Sequence, residues 1–248
     1  MATAVAQSRR PERFVPGRHF DHWFFSGMAL LILVTVFIGF SRTYYLAGVF
    51  RSPLPSPIIH FHGAAFSLWV LLLVAQTSLI STGRVDIHRR LGIFGFLLAC
   101  AMVVLGVLAA TNSLVRGVSP PGLDPATFYV IPITDMVIFS TLIFFAFRNR
   151  FDSPAHKRFI LIATNALLIA AIARWPFAFV ERKPLPATFL SYLFLLMLVA
   201  YDLWSMRKIH VATIWGGAFM VVVQQLRVPF GKTSAWHAFA DWILQLAG

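Results

Sequence analysis

The sequence predicts an all-α polytopic integral membrane bundle of seven transmembrane helices, built as one lone helix followed by three helical hairpins. Three observations predict it. Of the 248 residues, 58% are hydrophobic and only 12% charged, where a soluble domain is roughly a quarter charged. The apolar residues fall into seven runs, each close to the ~20 residues that cross a bilayer. Between the runs stand short connectors with helix breakers: Pro53, Pro55 and Pro57, then Pro120, Pro121 and Pro125, then Pro184 and Pro186. Disorder and a coiled coil are excluded by this composition, and a disulfide scaffold by the single Cys100, a small hydrophobe in an apolar run.

Taken in order, the runs are 23–40, 58–81, 91–114, 128–147, 159–180, 187–206 and 211–228. The first follows Arg9 and Arg10, but it is too long for a signal peptide and no small-residue cleavage site ends it, so it reads as a retained helix. The second opens at Ser56-Pro57, an N-cap followed by a proline in the first helical position. Gly92, Gly95, Ala99 and Gly106 in the third run, and Gly216-Gly217-Ala218 in the seventh, suit close helix packing. Pro132 and Pro176 are candidate kinks in the fourth and fifth. Residues 1–22 form a basic cytoplasmic arm, 23–228 the transmembrane domain, and 229–248 an external tail whose segment 236–246 suits an interfacial helix.

Cations orient the bundle. There are 21 Lys and Arg against 9 Asp and Glu, a formal charge of +12. Thirteen cations fall on the N-terminal side: Arg9, Arg10, Arg13, Arg18, Arg84, Arg89, Arg90, Arg148, Arg150, Lys157, Arg158, Arg207 and Lys208. Seven fall on the other side: Arg42, Arg51, Arg116, Arg182, Lys183, Arg227 and Lys232. The positive-inside bias then places the N-terminus in the cytoplasm and the C-terminus outside. It also accounts for the charge without nucleic acid. The bilayer itself is the first partner.

Three connectors on the cytoplasmic side repeat one theme, with a histidine among cations at the start of the next helix: Asp86-Ile87-His88-Arg89-Arg90, Ser153-Pro154-Ala155-His156-Lys157-Arg158 and Arg207-Lys208-Ile209-His210. Asp86 and Ser153 are the expected N-caps. The helix-terminus charge and the neighbouring cations favour neutral imidazoles, the form that ligates a metal or haem iron. His88, His156 and His210 are therefore candidate cofactor ligands, and the flanking cations would suit lipid phosphates or propionates.

Near the external side lies a polar layer. Asp135 sits roughly 10 Å into the fourth run and Arg174 roughly 9 Å from the outer end of the fifth, at 1.5 Å per residue. Intramembrane ionisable groups are functional-site candidates by default, and two opposite charges at matched depth are expected to pair. His60, His62, Gln224 and, nearer the surface, Arg227 complete the candidate ligand site, with Gln225, Arg42 and Asn112 close in depth. His60 and His62 are two apart on a helix and point about 200° apart, so one of them faces the layer. Asp202 is expected to pair with Arg207 or Lys208, and Asn165 to bond a neighbouring helix.

No lysine sits mid-span in the last helix, which excludes a retinal Schiff base, and there is no Gly-x-Ser-Gly of an intramembrane serine protease. The strings Phe61-His62-Gly63, Gly83 to Gly92 with its His-Arg-Arg-Leu-Gly core, and Ala155-His156-Lys157-Arg158-Phe159 resemble a group of uncharacterised bacterial polytopic inner-membrane proteins. That resemblance implies a bacterial cytoplasmic membrane and says nothing of an activity. More distantly, the His-bearing hairpins are similar to cytochrome b561-type haem proteins and cytochrome-oxidase assembly factors, which implies haem b. Three functions stay open: a carrier, chaperone or assembly factor for a small or lipidic ligand; a His-ligated haem or quinone-linked redox protein; and a purely structural bundle.

Overall fold

The computed structural model describes residues 18–53, 56–181 and 184–247. Most of the basic arm, including Arg9, Arg10 and Arg13, lies outside them, as do Arg182 and Lys183. Ten α-helices follow one another, with no strand among the described residues. They are α1 (Arg18–Phe40), α2 (Ala47–Phe50), α3 (Pro57–Ser81), α4 (Val85–Val115), α5 (Pro125–Arg148), α6 (Ser153–Ala166), α7 (Leu168–Ile172), α8 (Pro184–Met206), α9 (Val211–Gly231) and α10 (Ser234–Ala247). A π-helical turn, Ser41–Tyr45, continues α1. Seven spans are long and apolar enough to cross a membrane, with α6 and α7 together making the fifth. The chain is a polytopic helical bundle.

The starts of the helices follow from local chemistry. Pro57, Pro125 and Pro154 occupy the first helical turn, where a missing N–H costs nothing. Asp124 caps α5 by accepting from Thr127 N at 2.8 Å. Two expected caps fall one or two residues off. Asp152, not Ser153, caps α6, and Arg84 holds the N-cap position of α4 while Asp86 sits within the first turn. In both cases the helix simply starts earlier than the apolar run does.

The fifth span departs most from expectation. Its helix is interrupted at Leu167 and ends at Ile172 rather than near residue 180. Pro176 stands four residues past that end, and it offers no N–H for a helix to continue. Arg174 therefore lies beyond the helix, not inside it. This span is also the central one: 67% of its apolar window is buried, against 17–39% in the others. Helices α5, α8 and α9 pack on α6, and α1 and α8 on α7; α3 and α4 close the ring from α1 round to α5. Ile32, Met102, Ile138, Phe139, Ile162, Leu168, Ile172 and Met220 are fully buried in the resulting core. Leu97, Val104, Phe144 and Leu196 face outward, as lipid-facing positions should.

Close approach is set by one glycine above all. A Cβ on Gly39 would collide with the Ala171 carbonyl, so α1 rests directly on the backbone of α7. The Trp175 indole donates to Thr35 O at 3.1 Å and ties the chain just past α7 to the same helix. The tail helix α10 packs on α5, its Trp236 indole donating to Ala126 O at 2.8 Å.

Candidate functional site

Toward the C-terminal side of the bundle, the ion pair differs from the one expected. Asp135 on α5 accepts from the Arg227 guanidinium of α9 at 2.7 Å, not from Arg174. The antiparallel register of α5 and α9 is fixed by Leu142 against Gly216 and Val130 against Gly231. It puts Gln224 about level with Asp135, and Arg227 one turn further out, within reach of the carboxylate. The Asp135–Arg174 pair is thus corrected: Arg174 left its helix, and α9 supplied the cation instead. In a double-mutant cycle on unfolding, Asp135→Asn and Arg227→Gln should each destabilise and together cost clearly less than their sum. Strict additivity would contradict the pair.

Among the described residues, Arg174 has no carboxylate partner. Its one hydrogen bond among the described residues runs from Nη1 to Ala170 O, 2.6 Å, and its guanidinium lies 5.0 Å from the centroid of the Phe40 ring. The side chain is exposed. Phe40 is the last α-helical residue before the π-turn Ser41–Tyr45. Such turns recur at functional sites, because one extra residue re-aims the side chains around it.

The Phe61-His62-Gly63 string finds its reason in the same turn. A Cβ on Gly63 would lie 2.9 Å from the Tyr44 ring, so glycine lets that ring lie against α3. The Tyr44 hydroxyl donates to His60 O at 3.1 Å, and the Tyr45 and Ser67 hydroxyls meet at 2.7 Å. His60 stays exposed, its ring against Tyr44. His62 turns inward beside Phe66, ring centroids 4.1 Å apart, near the Leu105 carbonyl and within electrostatic range of Arg174. Its Nδ1 is buried with no hydrogen-bond partner. Of the two histidines, His62 faces the layer.

Gln224 and Asn165 face each other's helices at the α6 break. Gln224 Nε2 donates to Ala166 O at 3.4 Å and Asn165 Nδ2 approaches Met220 Sδ at 3.8 Å, while the amide oxygens of both are buried and unpartnered. Asn112 Oδ1 at the end of α4 is a further buried orphan. Gln225 points away and donates to Tyr192.

The N-terminal side holds a second polar cluster that is tightly satisfied. Arg158, only 2% exposed, donates from Nε and Nη2 to Asp202 Oδ1, at 2.9 and 2.5 Å. Asp202 Oδ2 accepts from Thr213 Oγ1 at 2.6 Å and from His210 N at 3.0 Å. Neither Arg207 nor Lys208 is the partner of Asp202, a correction of the sequence expectation: the carboxylate points into the bundle, toward α6 and α9. One residue along each helix, Lys157 pairs with Asp21 of α1, which also accepts from the Tyr201 hydroxyl at 2.7 Å. Asp21, Tyr201 and Thr213 were not anticipated; Asp21 lies just before the first apolar run, the one signal that marked it.

The three repeated histidines do different things. His210 is the N-cap of α9, its Nδ1 accepting from Ala212 N at 3.1 Å. His156 Nδ1 lies 2.8 Å from Ala146 O, which fixes the proton on Nδ1 and leaves Nε2 as an acceptor. With its amide oriented to satisfy both ends, Gln76 donates to His88 Nδ1 at 2.7 Å and accepts from Gly92 N at 3.1 Å. His88 and His156 are close enough to interact electrostatically. No group of three or more His, Cys, Asp or Glu that could hold a metal occurs among the described residues.

The His210 cap works only with a neutral ring. Burial, then Arg158, holds this histidine below its usual range. The unfolded chain then binds the extra proton first as pH falls, so this contribution to stability is complete above about pH 6.5 and declines on acidification below it. His210→Ala should cost about 1 kcal/mol in thermal unfolding, with His210→Asn restoring most of it.

The chain matches no protein-family model, no curated protein and no solved structure, so these residues themselves carry the functional reading.

Proposed function

We propose that this integral membrane protein binds a small or lipidic ligand in the polar layer on its C-terminal side, and acts as a carrier, chaperone or assembly factor for it. The observation that carries this reading is the set of buried, unpartnered polar atoms in that layer: His62 Nδ1, Asn112 Oδ1, Asn165 Oδ1 and Gln224 Oε1, on four different spans. In a bilayer no bulk water compensates such atoms, and each costs free energy until something polar meets it. The N-terminal side leaves two hydroxyls, Ser26 and Ser205, unpartnered, while its cluster pairs both carboxylates. The cation bias supports a C-terminal side that faces outward, in the bacterial cytoplasmic membrane that the motif resemblance implies.

A His-linked redox role, with haem b or a quinone, is the second reading. It is supported by His156, whose Nδ1–H···O=C bond is the arrangement that orients a ligating imidazole. Native mass spectrometry and an absorption spectrum of protein purified in mild detergent separate the two. A bound, colourless amphiphile whose mass is not that of a quinone is the expected result; a Soret band or a quinone mass in its place would overturn the first reading in favour of the second.

A further inference from the structure

Building on that reading, we propose that the ligand is an amphiphile with an anionic oxygen head group, of the phosphate type, held by Arg174 and His62, with its apolar chain in the cleft between α1 and α3.

The head-group end rests on Arg174. Among the described residues it has no carboxylate partner, since Asp135 is engaged by Arg227. One of its nitrogens caps the Ala170 carbonyl, and the remaining N–H groups of the planar fork have no partner among the described residues. A guanidinium so placed is suited to the oxygens of a phosphate. Structural capping alone would be served by a lysine. His62 brings a ring nitrogen that is buried and unpartnered to the same place. Protonated by the incoming anion's field, its Nδ1 would supply a second charge-assisted donor.

The chain end rests on a cleft of about 140 Å³, lined by Leu33, Val36 and Phe37 of α1 and by Val70 and Leu71 of α3, with the Tyr45–Ser67 bond at its head. Leu33, Val36 and Phe37 share one stripe of α1, at helical spacing, with Phe40, the ring beside which Arg174 lies. Its lining is mostly apolar and includes Phe37 and Leu71, which face outward, so an acyl chain in the bilayer would enter there. A soluble anion would use the head-group end alone.

The test is thermal unfolding of the detergent-solubilised full chain, followed by intrinsic tryptophan fluorescence, with three probes: dioleoyl phosphatidate, dioleoylglycerol and inorganic phosphate. Phosphatidate should raise the Tm by several degrees, and dioleoylglycerol, which lacks only the phosphate, should not. No shift with inorganic phosphate would support the lipidic source, while an equal shift with it would overturn the cleft assignment. Arg174→Gln should remove the phosphatidate shift and Arg174→Lys should keep part of it, which holds the test open should the glutamine variant fold poorly. A full shift in Arg174→Gln would overturn the proposal. Native mass spectra distinguish this failure from that of the broader reading. An amphiphile retained equally by wild type and Arg174→Gln leaves the polar layer as a ligand site and removes the anionic assignment; a wild type that is empty and unresponsive to every probe overturns both.

Discussion

Asp202→Leu is expected to destabilise the bundle by about 3–5 kcal/mol, enough to leave little folded protein at growth temperature. The carboxylate is fully buried, and it takes two hydrogen bonds from Arg158, one from Thr213 and one from the His210 backbone. Removing it strands a guanidinium that is 2% exposed inside the membrane domain. It also frees the start of α9 from α8. The informative companion is Asp202→Leu with Arg158→Met, which removes both charges; replacing a whole buried pair by apolar groups is often neutral or better. The double variant should therefore be more stable than the single one. Chemical unfolding in detergent measures both, and a double variant that is worse than Asp202→Leu would show that the network matters beyond its charge balance.

Gly39→Val should be nearly as damaging, by a different route. Its Cβ would fall on the Ala171 carbonyl, which is backbone and cannot rotate away. Forcing atoms into a packed contact costs about 1–3 kcal/mol, and α1 must here move off α7 to make room. The same shift carries Phe40 away from Arg174 and loosens the Trp175–Thr35 bond. A lower Tm together with loss of the phosphatidate response is the expected outcome. Unchanged stability would mean that α1 and α7 are not in the contact described.

These effects show where sequence reasoning reached and where it stopped. The spans were legible because a bilayer demands long apolar runs, and each predicted run overlaps a helical span long and apolar enough to cross one. The fifth alone misleads at its outer end: residues 173–180 remain apolar enough to read as helix, and Pro176 offered a kink and a stop equally well. Partner choice was not legible at all. Asp135 and Asp202 each sit where two cations are in reach, and the choice depends on helix rotation and register, which hydropathy does not encode. Arg227 won over Arg174 because α9 lies directly on α5, and Arg158 over Arg207 because Asp202 faces inward. The histidine repeat was visible as a pattern, yet it divides into a cap, a carbonyl-bound ring and a glutamine-bound ring, distinctions that need coordinates.

Access to Arg174 from the C-terminal side is most directly tested by thiol accessibility. Ala170 is exposed beside Arg174, and Cys100 is the single native cysteine. With Cys100→Ser as background, Ala170→Cys should react with a membrane-impermeant anionic thiosulfonate added from the C-terminal side. Reaction should slow when Arg174→Gln removes the local positive charge, and phosphatidate should protect the thiol. A cysteine that reacts only from the N-terminal side, or not at all while the protein is folded, would contradict the account.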